Sequence, residues 1–537
     1  MSHPLAFLIS ILGSLAIACM CAVRSLHMFQ MDSYLSRRYW QWLRSKPGDR
    51  ILHRPAVVTG LSIMAAEAVR RWLHFGQENS LLLLAWLVYA AAAMGTRDGA
   101  PAKKPLEMTG RATRILWTAR LLLVLAAASV WWLLQEASFY AAAVAVVLVA
   151  HAAPAAILAG NQLMRPVQTQ INRGFLRSAQ AKMRSLRPVV VGVAGSYGKT
   201  STKYFIDTLL GQRYRTLKTP GNVNTQLGVS RIVNENLTAE HEVFLVEMGA
   251  YKRGEVKDVA ELVGPKIGIV TSIGPEHFER FLSMENIEET NYELIAALPA
   301  DGLAVFNCEN EHCRKLANRT RHTRVMRYGL TEAGNDVWAE GVEHSSEGLR
   351  FTIVTRSGMR REAATTLVGR LNVLNILGAA AIALDMGVEA DKIREGIAQL
   401  KPAPNRLEVK KGLGGTTIID DSYNSNPAGA AEALYVLSQF RSGKRVLVTP
   451  GMIELGVLQE EKNEELGYQA SQVCDMVVLV GPEQTRPLAA GLRRGGFTEE
   501  KLHVVKDLSE ATAIFQRVLR PGDVILFEND LPDLYSE

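Results

Sequence analysis

A chain of 537 residues, 48% of them hydrophobic, is long enough for two or three domains that each bury a core, which excludes a single small domain. The formal charge of +6, from 60 Lys and Arg against 54 Asp and Glu, is too mild to point to nucleic acid as a partner. Five cysteines, Cys19, Cys21, Cys308, Cys313 and Cys474, are too few for a disulfide framework and have no zinc-site spacing, so they are expected to be free thiols. Cys308 and Cys313 lie near His312 in sequence, and a solvated loop after a strand accounts for them better than a metal does.

The first 187 residues form one region. Pro4 to Val23 is apolar without a charge, long enough to cross a bilayer as a helix. No basic segment precedes it, as a cleaved signal peptide would require. Further apolar runs at 55–75, 80–96, 116–134 and 138–160 bring the expected number of spans to five. The second is the weakest, because Glu67, Arg70 and Arg71 interrupt it. Lys and Arg gather at 24–54, 97–114 and 165–187, and basic loops stay in the cytoplasm. The expectation is a multi-pass inner-membrane protein with the lipid bilayer as partner, its N-terminus outside and its later domains cytoplasmic. A soluble helical domain would need polar faces at helical spacing, which these segments nearly lack.

From residue 188 the rhythm changes to α/β. Pro188 to Ala194 is a β-branched run ending at glycine, which predicts a buried strand, and a helix over Lys199 to Leu210 follows. Strands are expected again at Glu242 to Glu247, Ile267 to Thr271 and Ala304 to Asn307, the pattern of a mostly parallel sheet flanked by helices. A second alternation begins near Arg406, with strands at Thr416 to Asp420, Arg445 to Thr449, Met476 to Val480 and Val524 to Phe527. It predicts a separate Rossmann-like domain. The expected division is 1–187 transmembrane, 188–403 central ATP-binding and 404–537 C-terminal.

Chemistry concentrates first at Gly192-Val-Ala-Gly-Ser-Tyr-Gly-Lys-Thr-Ser201. Between a strand and a helix, such a loop turns backbone N–H groups and a helix N-terminus toward phosphates. Lys199 is placed for the β- and γ-phosphates of ATP and the Thr200 hydroxyl for Mg2+. Val193 occupies the position where the strict phosphate-loop pattern has its first glycine.

The loop resembles that of the Mur ligases, G-[ST]-x-G-K-[ST], in Gly195-Ser-Tyr-Gly-Lys-Thr200, and the resemblance runs in order from about 188 to 480. It implies that Gly195, Ser196, Gly198, Lys199, Thr200 and Ser201 hold ATP. Thr219-Pro-Gly-Asn-Val-Asn224 resembles the cleft-lining segment of the D-alanyl-D-alanine-adding subgroup, which makes Asn222 and Asn224 substrate-binding candidates. Phe244-Leu-Val-Glu-Met-Gly-Ala250 resembles the strand whose end brings a glutamate, here Glu247, to a magnesium ion. Thr271-Ser-Ile-Gly-Pro-Glu-His277 resembles the element whose histidine, here His277, ligates a second one. Gly369-Arg-Leu-Asn-Val-Leu-Asn375 resembles the nucleotide-contacting helix start, with Asn372 and Asn375 in the matching places and Leu371 where a histidine is usual. Pro404-Asn-Arg-Leu-Glu408 places Arg406 toward the nucleotide. Asp420-Asp-Ser-Tyr-Asn-Ser-Asn-Pro427 resembles the subgroup's D-D-S-Y-N-A-N-P, with Asp421 near the ribose and Asn424 and Asn426 toward substrate. Pro450-Gly-Met-Ile-Glu-Leu-Gly456 resembles its G-D-M-x-E-L-G.

Three departures stand beside the match. The soluble N-terminal domain that holds the UDP-sugar in the family is replaced by the apolar region. The lysine that the family carbamylates corresponds to Asn291, so either Glu289 or Glu293 supplies the missing negative oxygen or the site is altered. Phe527-Glu-Asn-Asp-Leu-Pro-Asp533 replaces the subgroup's lysine-glycine-serine, so the amine is open to difference. The resemblance implies a ligase that forms an acyl phosphate on the carboxylate of a cell-wall precursor and passes the acyl group to an amine or dipeptide, with Lys199, Glu247 and His277 catalytic and ATP and Mg2+ required. A ligase of another polymer such as poly-γ-glutamate, or an ATP-binding scaffold without ligase activity, is the alternative.

Overall fold

The computed structural model describes residues 3–31, 34–45, 105–134 and 139–530. The chain divides into two compact units at Asn172/Arg173.

The first unit is helical: His3–Met31, Ser36–Ser45, Gly110–Leu134, Phe139–Ala150 and the first half of Ala153–Leu186. Small residues set its packing. Ala18, Ala22, Ala112, Ala119, Ala153 and Ala156 are buried together with Leu26, Phe29, Tyr39 and Ile115. A Cβ added at Gly160 would stand 3.1 Å from the Ile115 carbonyl oxygen, so the backbones of the helices Gly110–Leu134 and Ala153–Leu186 meet where neither carries a bulky side chain.

The multi-pass expectation is corrected here. Two of its five spans, 55–75 and 80–96, lie outside the described residues. The fifth, 138–160, is not one helix: it breaks at His151–Ala152 into Phe139–Ala150 and the start of Ala153–Leu186. Among the described residues two stretches, Ser10–Met31 and Gly110–Leu134, are long and apolar enough to cross a membrane by length and composition. Two such stretches do not make a multi-pass topology, and a core helix or a signal sequence passes the same test of length and composition, so the run of hydrophobic residues carries neither a multi-pass topology nor a bilayer partner.

The second unit, from Arg173, is mixed α/β with two sheets, as the alternation predicts. The first has the order β2-β3-β1-β4-β5-β6-β7-β8-β9: β1 (Val189–Ala194), β2 (Thr216–Lys218), β3 (Val243–Glu247), β4 (Ile267–Val270), β5 (Leu303–Asn307), β6 (Arg324–Gly329), β7 (Val337–Ser345), β8 (Gly348–Thr355) and β9 (Arg360–Thr365). β1 pairs in parallel with both β3 and β4, and its residues alternate between two cores. Val191 and Val193 face one, with the helices Lys199–Leu210 and Arg370–Asp385. Val190 and Ala194 face the other. Burial on both faces is what a continuous β-branched run means in a parallel sheet. The final strands β7, β8 and β9 pair antiparallel.

The second sheet has the order β10-β11-β15-β12-β13-β14: β10 (Glu408–Lys411), β11 (Thr417–Asp421), β12 (Arg445–Thr449), β13 (Met476–Val480), β14 (Leu502–Val505) and β15 (Val524–Glu528). It is parallel except for the edge strand β10. Cys308 and Cys313 are buried rather than solvated, because Cys313 starts the inner face of the helix Glu311–Arg319. His312 instead meets Glu288 at 2.7 Å, and burial pushes the Cys308 thiol up to about 11.

Candidate active site

In both sheets the chemistry lies at the carboxyl ends of the strands. In the first, β1 ends where the strand order turns back, with β3 on one side and β4 on the other, the place where open α/β sheets leave a crevice. The loop after β1 fits that crevice tightly. Gly195 has φ +138° and Gly198 φ +80°, and a side chain at either would collide, with Thr271 Oγ1 at the first and Asn375 Oδ1 at the second. Ser196 N donates to Ser272 O at 2.6 Å, and Thr271 Oγ1 donates to Tyr197 O at 2.6 Å. The loop is therefore held by β4 on one side and by the helix Arg370–Asp385 on the other. Val193 is fully buried in β1, so the departure from the strict phosphate-loop pattern falls within the strand.

Each cation of the loop already has oxygen partners. Lys199 Nζ donates to Gly195 O at 2.6 Å, to Ser196 O at 2.9 Å and to Glu276 Oε2 at 2.9 Å. Thr200 Oγ1 donates to Glu247 Oε2 at 3.0 Å, and Asn224 Nδ2 donates to Glu247 Oε1 at 3.2 Å. One turn further along the helix, Lys203 donates to Glu247 Oε2, the oxygen that Thr200 meets, at 2.9 Å and to Gly221 O at 2.6 Å. Both partners of that ion pair are buried. Burial holds the Lys203 ammonium below its ordinary value, and Glu247 opposes the shift. Sequence reasoning passed over Lys203, since a lysine inside a helix reads as a solvated face. Its only signal is that it lies one helical turn beyond Lys199, with Thr200 three residues before it.

Asn291 is buried behind the loop. Its Oδ1 accepts from Gly195 N at 2.7 Å, and its Nδ2 donates to Ile287 O at 2.8 Å. The expected substitutes are engaged elsewhere: Glu289 accepts from Arg319 at 2.6 Å, and Glu293 accepts from Gly254 N and Lys257 N. Neither supplies an oxygen to the Thr200–Glu247 pair, because their positions on the helix Met284–Ala296 turn them toward its neighbours.

The second sheet contributes from the opposite side. Glu454 accepts from His277 Nδ1 in a short hydrogen bond and from Arg280 Nη2 at 3.1 Å. The His277 and Glu454 backbones are both left-handed, φ 50° and 62°, a strained state for residues with side chains that the contact has to hold. Arg370 donates through its backbone N–H to Glu432 and stacks 3.7 Å over Tyr435. Asn375, on the same helix, accepts from Thr202 Oγ1 at 3.1 Å and donates to Asn372 Oδ1 at 3.3 Å. Arg406 stacks 4.3 Å from the centre of the Tyr423 ring and donates to Asn424 O at 3.2 Å. Asp421 accepts from Leu407 N at 3.1 Å and is the register partner of Glu528. Glu528 accepts from Ser425 Oγ at 2.6 Å. Burial raises both carboxyls; Asp421 raises Glu528 further, whereas the hydrogen bond with Glu528 lowers Asp421.

Residues 193–383 match the Mur ligase middle domain and residues 405–528 the Mur ligase glutamate ligase domain. The UDP-N-acetylmuramoyl-tripeptide--D-alanyl-D-alanine ligase of Bacillus subtilis is 31% identical over 355 residues, 65% of this chain and 75% of that protein. The chain belongs to the Mur ligase family. The ligase of the same name from Escherichia coli is 32% identical over 295 residues, 55% of this chain. The chain spans 65% of that relative's length. A crystal structure of MurF from Acinetobacter baumannii aligns with a TM-score of 0.61 at 25% identity, over 68% of this chain and 78% of that one. The MurF ligase of Thermotoga maritima in complex with ADP aligns at 0.59 and 25%, over 68% and 81%.

Against this Mur ligase frame the proposed site residues fall into three groups. Gly195, Ser196, Gly198, Lys199, Thr200, Glu247, Asn224, Asn372 and Asn375 are linked, directly or through one partner, around the loop. Ser201 lies in the first turn of the helix, half-buried. Arg406, Asp421 and Asn424 cluster at the end of β11. Asn222 is exposed in its turn, and Asn426 caps the helix Pro427–Ser438 by accepting from Gly429 N at 2.9 Å. The oxygen donors of Thr200 and Glu247 suit a hard cation. His277 is not brought to them, and no group of three His, Cys, Asp or Glu side chains able to hold a metal occurs among the described residues.

Proposed function

We propose that this chain is an ATP-dependent, ADP-forming ligase that joins an amine, D-alanyl-D-alanine or a similar dipeptide, to a carboxylate of a peptidoglycan precursor. The observation that carries the reading is the loop after β1: two glycines that admit no side chain, a lysine at its base, and Thr200 with Glu247 beside it. Transfer of a phosphoryl group to a carboxylate needs charge neutralised and reactants aligned more than it needs a protein nucleophile.

Lys199 would leave Glu276 for the phosphates, which offer it stronger charge-assisted hydrogen bonds than one carboxylate. The N-terminus of the helix Lys199–Leu210 adds its backbone N–H groups. Thr200 and Glu247 would hold Mg2+, which when bound supplies Lewis-acid neutralisation of phosphate charge. Lys203 and Asn224 keep the Glu247 carboxylate aimed. Arg406 and Asp421, with Asn372 and Asn375, form the nucleotide's other contacts, and Asn222, Asn424 and Asn426 face the substrates. His277 takes part through Glu454, which ties the loop after β4 to the second sheet. The γ-phosphoryl group passes to the acceptor carboxylate, and the amine then attacks the acyl carbon, releasing phosphate. Closure of the two sheets' loops keeps water from the acyl phosphate.

The test incubates the full chain with ATP, Mg2+, the UDP-linked muramoyl tripeptide and D-alanyl-D-alanine, and reads products by mass spectrometry. The expected result is a pentapeptide product with one ADP per amide. ATP binding without ADP release for any acceptor and amine pair would replace this reading with the non-catalytic one.

A further inference from the structure

The helical first unit contains a cavity of about 310 Å³ that the ligase reading does not use. It opens between the Tyr34–Ser36 turn, the first turns of Gly110–Leu134 and the middle of Ala153–Leu186. Three arginines line it, Arg111, Arg114 and Arg165, and its lining includes no aspartate or glutamate. The arginines meet neutral oxygens instead: Arg111 Nη2 donates to Asn161 Oδ1 at 3.3 Å, and Arg114 Nη2 donates to Gln168 Oε1 at 2.6 Å. Arg111 also stacks 4.1 Å over the Tyr34 ring, and its Nε is buried with no hydrogen-bond partner among the described residues.

That arrangement is costly as it stands. Like charges gathered in a partly desolvated space repel, and amide oxygens do not cancel them. Burial, with Arg114 beside it, lowers the proton affinity of Arg111 from the ordinary arginine value, the direction expected where positive charge lacks a counter-ion. The helix adds an unusual feature at the same place. Pro166 lies inside Ala153–Leu186, and a proline there removes the hydrogen bond to the carbonyl four residues earlier, at Gln162, itself a lining residue. The hydroxyl residues Tyr34 and Ser36 also line the cavity, and Thr169, which lines it too, spends its hydroxyl proton on Arg165 O at 2.9 Å.

We propose that this cavity binds a phosphate- or diphosphate-bearing anion. Arginine forks converging from two helices suit the several oxygens of a phosphate better than one flat carboxylate, and the volume accepts a diphosphate. The site rests on the first unit alone and stands or falls apart from the ligase reading.

The experiment uses the full chain carrying Lys199→Ala, so that the phosphate loop does not report, and titrates inorganic diphosphate by calorimetry. Saturable one-to-one binding is expected. It should weaken tenfold or more in Arg111→Gln with Arg114→Gln, and at least threefold in Arg165→Gln. Arg165 is exposed, so its replacement leaves the fold intact even if the buried pair does not tolerate change; helix content by circular dichroism checks this. Repeating the titration with phosphatidate in neutral detergent micelles separates the sources. Tighter binding than diphosphate assigns a phosphate carried on a lipid, and equal or weaker binding a free anion. Absence of saturable binding by either probe, or affinities unchanged in Arg165→Gln and the double variant, would overturn the proposal.

Discussion

The two sheets put charged side chains at the same topological place, the carboxyl ends of parallel strands, and treat them in opposite ways. At the end of β3, Glu247 is buried against Lys203 with Thr200 and Asn224 beside it, so charge is cancelled locally. At the end of β11 and β15, Asp421 and Glu528 face each other as register partners, two acids with Arg406 nearby. The first arrangement keeps a carboxylate aimed. The second favours holding a proton, because two buried like charges cannot both ionise cheaply. Strand-end position sets where chemistry gathers, while the group packed opposite decides whether its charge is cancelled or crowded.

Removing the cancelling charge is expected to have the largest effect. Lys203→Met leaves Glu247 buried without a counter-charge, which is expected to cost on the order of 3–5 kcal/mol in urea unfolding. Adding Glu247→Gln should recover a large part, and strictly additive losses would refute the pairing.

Lys199→Ala addresses function rather than stability. Its ammonium and Glu276 are partly exposed, so the unfolding midpoint should hold while turnover falls on the order of 10²–10³-fold. Turnover near the parent value would remove the loop lysine from the mechanism.

Asn291→Ala tests whether the loop is propped from behind. It strands the Gly195 N–H and is expected to cost ~1–3 kcal/mol, seen as a lower thermal midpoint. An unchanged midpoint would show that the loop stands without the prop.

The smallest effect is expected at the second sheet. Burial raises the folded-state Asp421 carboxyl from 3.8 to about 6, so the stability contributed by the protonated form is complete below the unfolded value and is lost as pH climbs through the folded one. Glu528→Gln removes the carboxyl whose proton Asp421 helps to hold and keeps an acceptor for Ser425. It should gain about 1 kcal/mol at pH 8 and less at pH 4, and a gain independent of pH would contradict a shared proton.

Local signals made much of this legible. The helix Lys199–Leu210 and the strands Arg445–Thr449 and Met476–Val480 were readable to the residue, since apolar runs bounded by glycine or polar turns leave little choice. The antiparallel strands β7 to β9 were not, because Val337–Ser345 is buried at one end and alternates at the other. The described part of the apolar first region was legible as helices and misread as belonging to five spans, since length and composition alone do not distinguish a membrane span from a helix of a soluble domain. Within the site, motif residues were readable as a group. Lys203, the His277–Glu454 contact and the Asn291 prop were not, because each depends on which distant element arrives opposite.

The helix Arg370–Asp385 touches both halves at once. Its first residue is gripped by Glu432 and Tyr435, and Asn375, five residues on, bears against Gly198 of the phosphate loop and bonds Thr202. Five residues of helix span about 7.5 Å, and eleven of the sixteen are buried, so the segment has little freedom to bend. It behaves as a short lever: a tilt of the second sheet that drags Glu432 would be felt at Gly198 as a change in how tightly the nucleotide's cradle is clasped.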